Sequence, residues 1–133
     1  MTFELYALLA AGGLLFALLL IQGALTPLAH GFKYGLGPRD EAKPRSAFAG
    51  RVDRTVVNHM EGLALFVPLI VVAALAGVSS QLTVWGAAAF VGARAAFALF
   101  YIAGVPVFRS IAWGVSVVGL IMIFAALLGA GGA

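Results

Sequence analysis

The sequence predicts an all-α fold, an integral membrane four-helix bundle, on three observations. Hydrophobic residues make up 63% of the chain and charged residues 10%, with a mean hydropathy of +1.10, against about 45–50% apolar and 25% charged in a soluble domain. The apolar residues gather into four runs, each long enough for a helix of about 20 residues to cross hydrocarbon. Six of the eight basic residues, Lys33, Arg39, Lys43, Arg45, Arg51 and Arg54, lie at or just after the junction of the first two runs. The 133 residues fit four spans and their connections as a single domain, 1–133.

The first span is expected over about residues 3–29, with Glu4 just outside it and no Lys or Arg before it. A secretory signal has a basic start and a shorter apolar core, so a retained helix is expected. Gln22 is read as an interhelical hydrogen-bonding group, and Gly12, Gly13 and Gly23 leave small surfaces where a neighbouring helix can approach closely. Residues 30–50 form the main loop, punctuated by Gly31, Gly35, Gly37, Pro38 and Pro44, and cannot be helical throughout. Its basic residues place it in the cytoplasm, which sends both termini to the opposite side.

The second span is expected over about 51–77, with Pro68 interrupting its hydrogen-bond ladder. A short uncharged turn leads into the third span, about 82–104, which must return antiparallel beside the second. The Gly104-Val-Pro-Val-Phe-Arg109 turn then leads into the fourth, about 109–128, and the tail from Gly129 to Ala133 is expected to fray. Trp85 and Trp113 are read as interface or packing residues.

Chemistry is concentrated on the second and third spans. At about 100° per residue, Arg51, Arg54, Asn58 and Glu61 fall within roughly 80° of one another, one stripe on one helix. Ionisable groups at membrane depth cost roughly 2.5–3.5 kcal/mol each and normally face a bundle interior or a wet cavity. On the third span Phe90, Arg94, Phe97 and Tyr101 form an aromatic stripe with one cation, a partner for Glu61 or for an anionic ligand. His59 points away from the first stripe. Arg54, Arg94 and Arg109 outnumber the one carboxylate, Glu61, so the cavity favours an anion from outside. A structural polar network capping the bundle is the plainer reading of the same residues.

Several classes are disfavoured. The chain has no cysteine and two histidines whose helical directions do not converge, so no metal site is expected. No serine sits in a nucleophile-elbow pattern and no Gly-rich phosphate loop is present. The basic balance is explained by membrane orientation rather than by nucleic acid, which is not expected as a partner. A ligand with two carboxylates, an ammonium and an ionisable thiol matches the charges, and glutathione is such a molecule; phospholipid headgroups and other organic anions match them too.

Arg54-x-x-x-Asn58-x-x-Glu61, followed by Phe66 and Pro68, then Arg94, Tyr101 and the Gly-x-Pro-x-x-Arg109 turn, resembles the MAPEG family, the membrane-associated proteins of eicosanoid and glutathione metabolism. The resemblance covers essentially the whole chain. It implies a homotrimer of four-helix bundles in the inner or plasma membrane, with glutathione sites between subunits opening to the cytoplasmic half. It also implies transferase or peroxidase activity toward lipophilic electrophiles, although some relatives are non-catalytic lipid-binding proteins. Carried over by position, Arg54 binds a glutathione carboxylate, Asn58 lies beside it, and Glu61 meets the γ-glutamyl ammonium. Arg94 supports that network, Tyr101 lines the ligand, and Arg109 stabilises the thiolate as the catalytic residue. Moving a thiol pKa from about 8.5 to near 6.5 requires about 2.7 kcal/mol of differential stabilisation. A cation at hydrogen-bond distance in a poorly hydrated site supplies energies of that order.

The pattern departs from the family at three points. Gly62 stands where some family enzymes place a tyrosine, Phe97 replaces another aromatic hydroxyl, and the turn at Pro106 needs a one-residue adjustment to bring Arg109 into register. The expected function is a glutathione-dependent transferase or peroxidase, with a lipid-binding scaffold of the same fold as the alternative. A small proton-coupled exporter is a third reading, and Arg54 and Arg94 beside Glu61 disfavour it because they repel a cationic substrate.

Overall fold

The computed structural model describes residues 1–131, which form five helices and no strand. Helix α1 spans Phe3–His30, the short α2 spans Phe32–Leu36, α3 spans Ala47–Leu75, α4 spans Gln81–Ala103 and α5 spans Pro106–Gly131. Gly132 and Ala133, the end of the tail expected to fray, lie outside the described residues, and Gly129 to Gly131 continue α5. Helices α1, α3, α4 and α5 are each long and apolar enough to cross a membrane. At 1.5 Å per residue the 23 residues of α4, the shortest of the four, extend about 35 Å, more than a hydrocarbon core of about 30 Å. The protein is an integral membrane four-helix bundle.

Local chemistry sets the ends of each helix. Ser46 caps α3 by accepting from the Ala49 amide at 3.1 Å, so the helix starts a turn before Arg51. It then continues unbroken through Pro68 to Leu75. Ser80 and Thr83 form a reciprocal capping box at the start of α4: Ser80 Oγ accepts from the Thr83 amide and Thr83 Oγ1 accepts from the Ser80 amide. Gly104, in the left-handed conformation at φ 80°, ends α4, and Pro106 opens α5, where its missing N–H costs nothing. Inside the main loop α2 packs on α1 so closely that a Cβ on Gly35 would lie 2.7 Å from Pro27 Cβ.

The two ends of the bundle are chemically different. At the loop end, Arg45 pairs with Asp53 at 2.6 Å, and Gln22 donates to the same Asp53 at 2.9 Å, joining α1 to α3. At the opposite end Glu4, read from the sequence as lying just outside the first span, is inside α1 and 2% exposed. Its Oε1 accepts from Ser79 Oγ and Thr83 Oγ1 at 3.0 and 2.5 Å, tying the start of α1 to the start of α4. Between the ends the core holds Phe66, Ile70, Ala87, Phe90 and Ile123, with the Phe66 and Phe90 rings stacked 4.1 Å apart. Helices α4 and α5 pack backbone to backbone at Gly86 and Gly119, where an added Cβ would meet the other glycine's carbonyl oxygen at 2.8 or 2.6 Å. This contact fixes how α5 lies against Phe90 and Arg94. Large apolar side chains such as Leu9, Phe16, Leu99 and Phe124 are left on the outer surface, as a lipid-facing bundle requires.

Candidate functional site

Helices α3 and α4 are antiparallel, so Arg54, near the start of one, faces Tyr101, near the end of the other. Arg54 Nε donates to Tyr101 Oη at 3.0 Å. From α5, the Arg109 guanidinium sits over the Tyr101 ring, 4.5 Å from its centroid. One tyrosine therefore joins two arginines contributed by two other helices. Close approach is helped by Gly50, whose missing Cβ would stand 3.3 Å from Arg54 Nη1.

Asp53, Arg54, Val57, Asn58, Glu61 and Tyr101 line a groove of about 340 Å³. Asn58 and Glu61 also line a second cavity of about 200 Å³, which runs between α3, α4 and α5 to Gly62, Phe90, Arg94, Trp113 and Ser116. The two spaces adjoin along one face of α3. All five residues expected to bind a ligand, Arg54, Asn58, Glu61, Arg94 and Tyr101, line one or the other, and Arg109 reaches them through Tyr101.

The polar contacts within this region are incomplete. Arg45–Asp53 is the only ion pair among the described residues, so neither Arg54 nor Arg94 makes one with Glu61. Glu61 is exposed, although it is the central residue of α3. Arg94 is 2% exposed and turns instead toward His59, donating from Nε to His59 Nδ1 over a long 3.4 Å. Its guanidinium also lies 4.7 Å from the Phe97 ring centroid. Two buried polar atoms here have no hydrogen-bond partner among the described residues, Asn58 Oδ1 and Arg94 Nη2. An unmatched buried polar atom costs about 1–3 kcal/mol. Here one acceptor and one donor are unmatched along the same cavity, which suits a ligand carrying both kinds of group.

Arg51 shares the stripe of Arg54, Asn58 and Glu61, but it donates from Nε to the Ile102 carbonyl at 2.9 Å and so satisfies the end of α4. His59, which lies off the stripe, and Trp113, expected as an interface or packing residue, lie against the Arg94 guanidinium and the cavity wall respectively. Ser116, also on the cavity wall, was not singled out. Its spacing of three from Trp113 puts both on one face of α5, and that was the available signal. Among the described residues no cluster of three His, Cys, Asp or Glu side chains could hold a metal ion.

No curated protein and no solved structure gives a significant match to the chain. The model of the MAPEG family matches residues 5–129, a range that takes in every helix of the groove and its adjoining cavity. The chain belongs to the MAPEG family.

Proposed function

We propose that the protein is a membrane-bound glutathione-dependent transferase or peroxidase that activates the thiol as a thiolate. The observation that carries the reading is the pair of unmatched buried atoms, Asn58 Oδ1 and Arg94 Nη2, along a groove that also exposes Arg54 and Glu61. An acceptor and a carboxylate for an ammonium, and guanidinium donors for carboxylates, are what the charged ends of glutathione require. The thiol end then belongs near Tyr101 and Arg109. Tyr101 Oη accepts from Arg54, so its own O–H is free to donate, and Arg109 supplies the compensating charge.

In the transferase reaction the thiolate forms a C–S bond to the electrophilic carbon, and the leaving group departs with its electron pair. In the peroxidase reaction it attacks the hydroperoxide oxygen, the O–O bond breaks, and the alkoxide takes a proton to give the alcohol. A second glutathione then reduces the sulfenic acid to disulfide and water. Both lipophilic substrates reach the site from the membrane.

The active form is a homotrimer. Glu61 is exposed at the middle of α3, where contact with hydrocarbon would cost roughly 2.5–3.5 kcal/mol, so a neighbouring copy must cover it; the number of subunits follows the family. The loop over 30–50 faces the cytoplasm of the inner or plasma membrane, on the strength of its basic residues.

A second reading, a lipid-binding scaffold, has its own support in an apolar groove of about 930 Å³ between α1 and α3, lined by Leu5, Leu8, Gly12, Phe16 and Val67 among others. One experiment separates the two. Purified protein titrated with glutathione is followed by ultraviolet difference spectroscopy beside Arg109→Ala. A saturable thiolate band in the parent that the variant lacks supports the enzyme. No band, and no competition by an unreactive glutathione analogue, rejects it in favour of the scaffold.

A further inference from the structure

His59 is among the largest side chains with essentially no solvent exposure, and it lies within the bundle rather than in the groove. Its two ring nitrogens have opposite tasks. Nε2 is 3.0 Å from the Ala11 carbonyl oxygen of α1, which can only accept, so Nε2 carries the proton. Nδ1 faces Arg94 Nε, which can only donate, so Nδ1 is an unprotonated acceptor. The ring is therefore the neutral Nε2–H tautomer, and it links the backbone of α1 to the guanidinium on α4.

Arg94 is held on three sides. His59 takes its Nε–H, the Phe97 ring lies under it, and the Gly62 backbone packs beside it, at a spacing where even a Cβ would make only ordinary contact, 3.5 Å from Arg94 Cζ and Nε. Nη2 has no partner among the described residues and lies beside the cavity. A carboxylate in place of His59 would hold Arg94 equally well but would cancel its charge, and an arginine already paired with a carboxylate has little attraction left for an anion. A neutral imidazole orients the guanidinium and leaves its charge for the ligand.

We infer that His59 is a positioning residue, a neutral tether from α1 that aims Arg94 into the cavity without discharging it and so sets the affinity of the cavity for an anionic ligand group. The ligand part rests on the glutathione reading above; the tether itself does not.

Two measurements test it on the full chain in nanodiscs. First, histidine ¹⁵N spectra of the ligand-free protein, with His30→Gln to assign the second histidine, should show His59 as the Nε2–H tautomer at neutral pH. An Nδ1–H tautomer, or a ring in free exchange between the two, overturns the tether. Second, glutathione affinity is measured in a double-mutant cycle between His59→Ala and Arg94→Gln. If His59 acts through Arg94, His59→Ala weakens binding about tenfold in the parent background and has no further effect once Arg94 is replaced. His59→Gln, which offers one donor and one acceptor, restores binding relative to His59→Ala, whereas His59→Asp, with a charged acceptor, does not. Losses that simply add in the cycle, or equal losses in all three His59 variants, show a packing role and overturn the inference. A parent protein that binds no glutathione rejects the proposed function and the ligand role together, while the spectra still decide the tether.

Discussion

The guanidinium of Arg109 stacks on the ring of Tyr101, 4.5 Å from its centroid, and this contact places the one charged group of α5 beside the end of α4. A cation over an aromatic face is held by about 0.5–1 kcal/mol where exposed and by more when desolvated. That is enough to orient Arg109 and too little to consume its charge. The same side chain accepts from Arg54 through its oxygen, so the phenol O–H and the Arg109 guanidinium are left as neighbouring donors for an anion, which in the proposed reaction is the developing thiolate.

Arg109→Ala should therefore lower kcat by about 100-fold, the scale for removing one group that stabilises a developing negative charge. Glutathione affinity should change far less. Glu61→Gln should do the reverse, weakening glutathione binding about tenfold through loss of a charge-assisted contact. Steady-state kinetics with a lipophilic aryl halide, run over a range of glutathione concentrations, read both quantities. Equal loss of turnover and affinity in both variants would count against the separate roles.

Tyr101→Phe separates the two contacts made by one side chain. The ring under Arg109 is kept, while the acceptor for Arg54 Nε and the free O–H are lost. Because Arg54 is exposed in the isolated chain, the hydrogen bond itself is worth only about 1 kcal/mol, or roughly a fivefold loss of glutathione affinity. A thiolate band of unchanged intensity at saturation would show that the O–H does not reach the sulfur.

The four spans were legible because each is a long apolar run, and the short uncharged turn that makes the third span antiparallel to the second puts Arg54 and Tyr101 at one membrane face; the hydrogen bond between them is seen only in the structure. Other features were hidden because their partners are remote in the chain. His59 points off the Arg54–Glu61 stripe, and its link to Ala11 and Arg94 spans 48 and 35 residues. Glu4 resembled a charge left at the membrane edge, and only the approach of Ser79 and Thr83 explains its burial. Arg51 shares a helix face with Arg54, yet one turn of displacement directs it to a backbone carbonyl. Helix α3 starts about one turn before the expected Arg51 because Ser46, after the loop residues Pro44 and Arg45, caps the Ala-Phe-Ala that follows it.

Glu4 gives a stability prediction that leaves the site untouched. Replacing it by alanine removes the acceptor for the Ser79 and Thr83 hydroxyls at the end of the bundle opposite the arginines. The expected cost is about 0.5–1.5 kcal/mol, the net worth of an ordinary hydrogen bond, because Ser79 is exposed and the Thr83 hydroxyl keeps the Ser80 carbonyl as an acceptor. Thermal unfolding in detergent should shift downward, with glutathione affinity unchanged. An affinity loss that persists well below the unfolding temperature would show coupling between the two ends.

The glycine contact between α4 and α5 tests whether the site depends on their spacing. A methyl group on Gly119 would stand 2.6 Å from the Gly86 carbonyl oxygen and 2.9 Å from the Phe90 amide nitrogen, both backbone atoms that cannot turn aside. Gly119→Ala therefore forces the helices apart, at about 1–3 kcal/mol for overpacking. It also shifts α5 relative to Phe90, which shares the cavity wall with Arg94, Trp113 and Ser116. Gly114→Ala on the same helix meets nothing within 4 Å, and alanine is the better helix former by about 1 kcal/mol. The first variant should lose thermal stability and glutathione affinity together, while the second keeps both. If Gly119→Ala unfolds at the parent temperature, the backbone contact is not what holds α5 in register with the cavity.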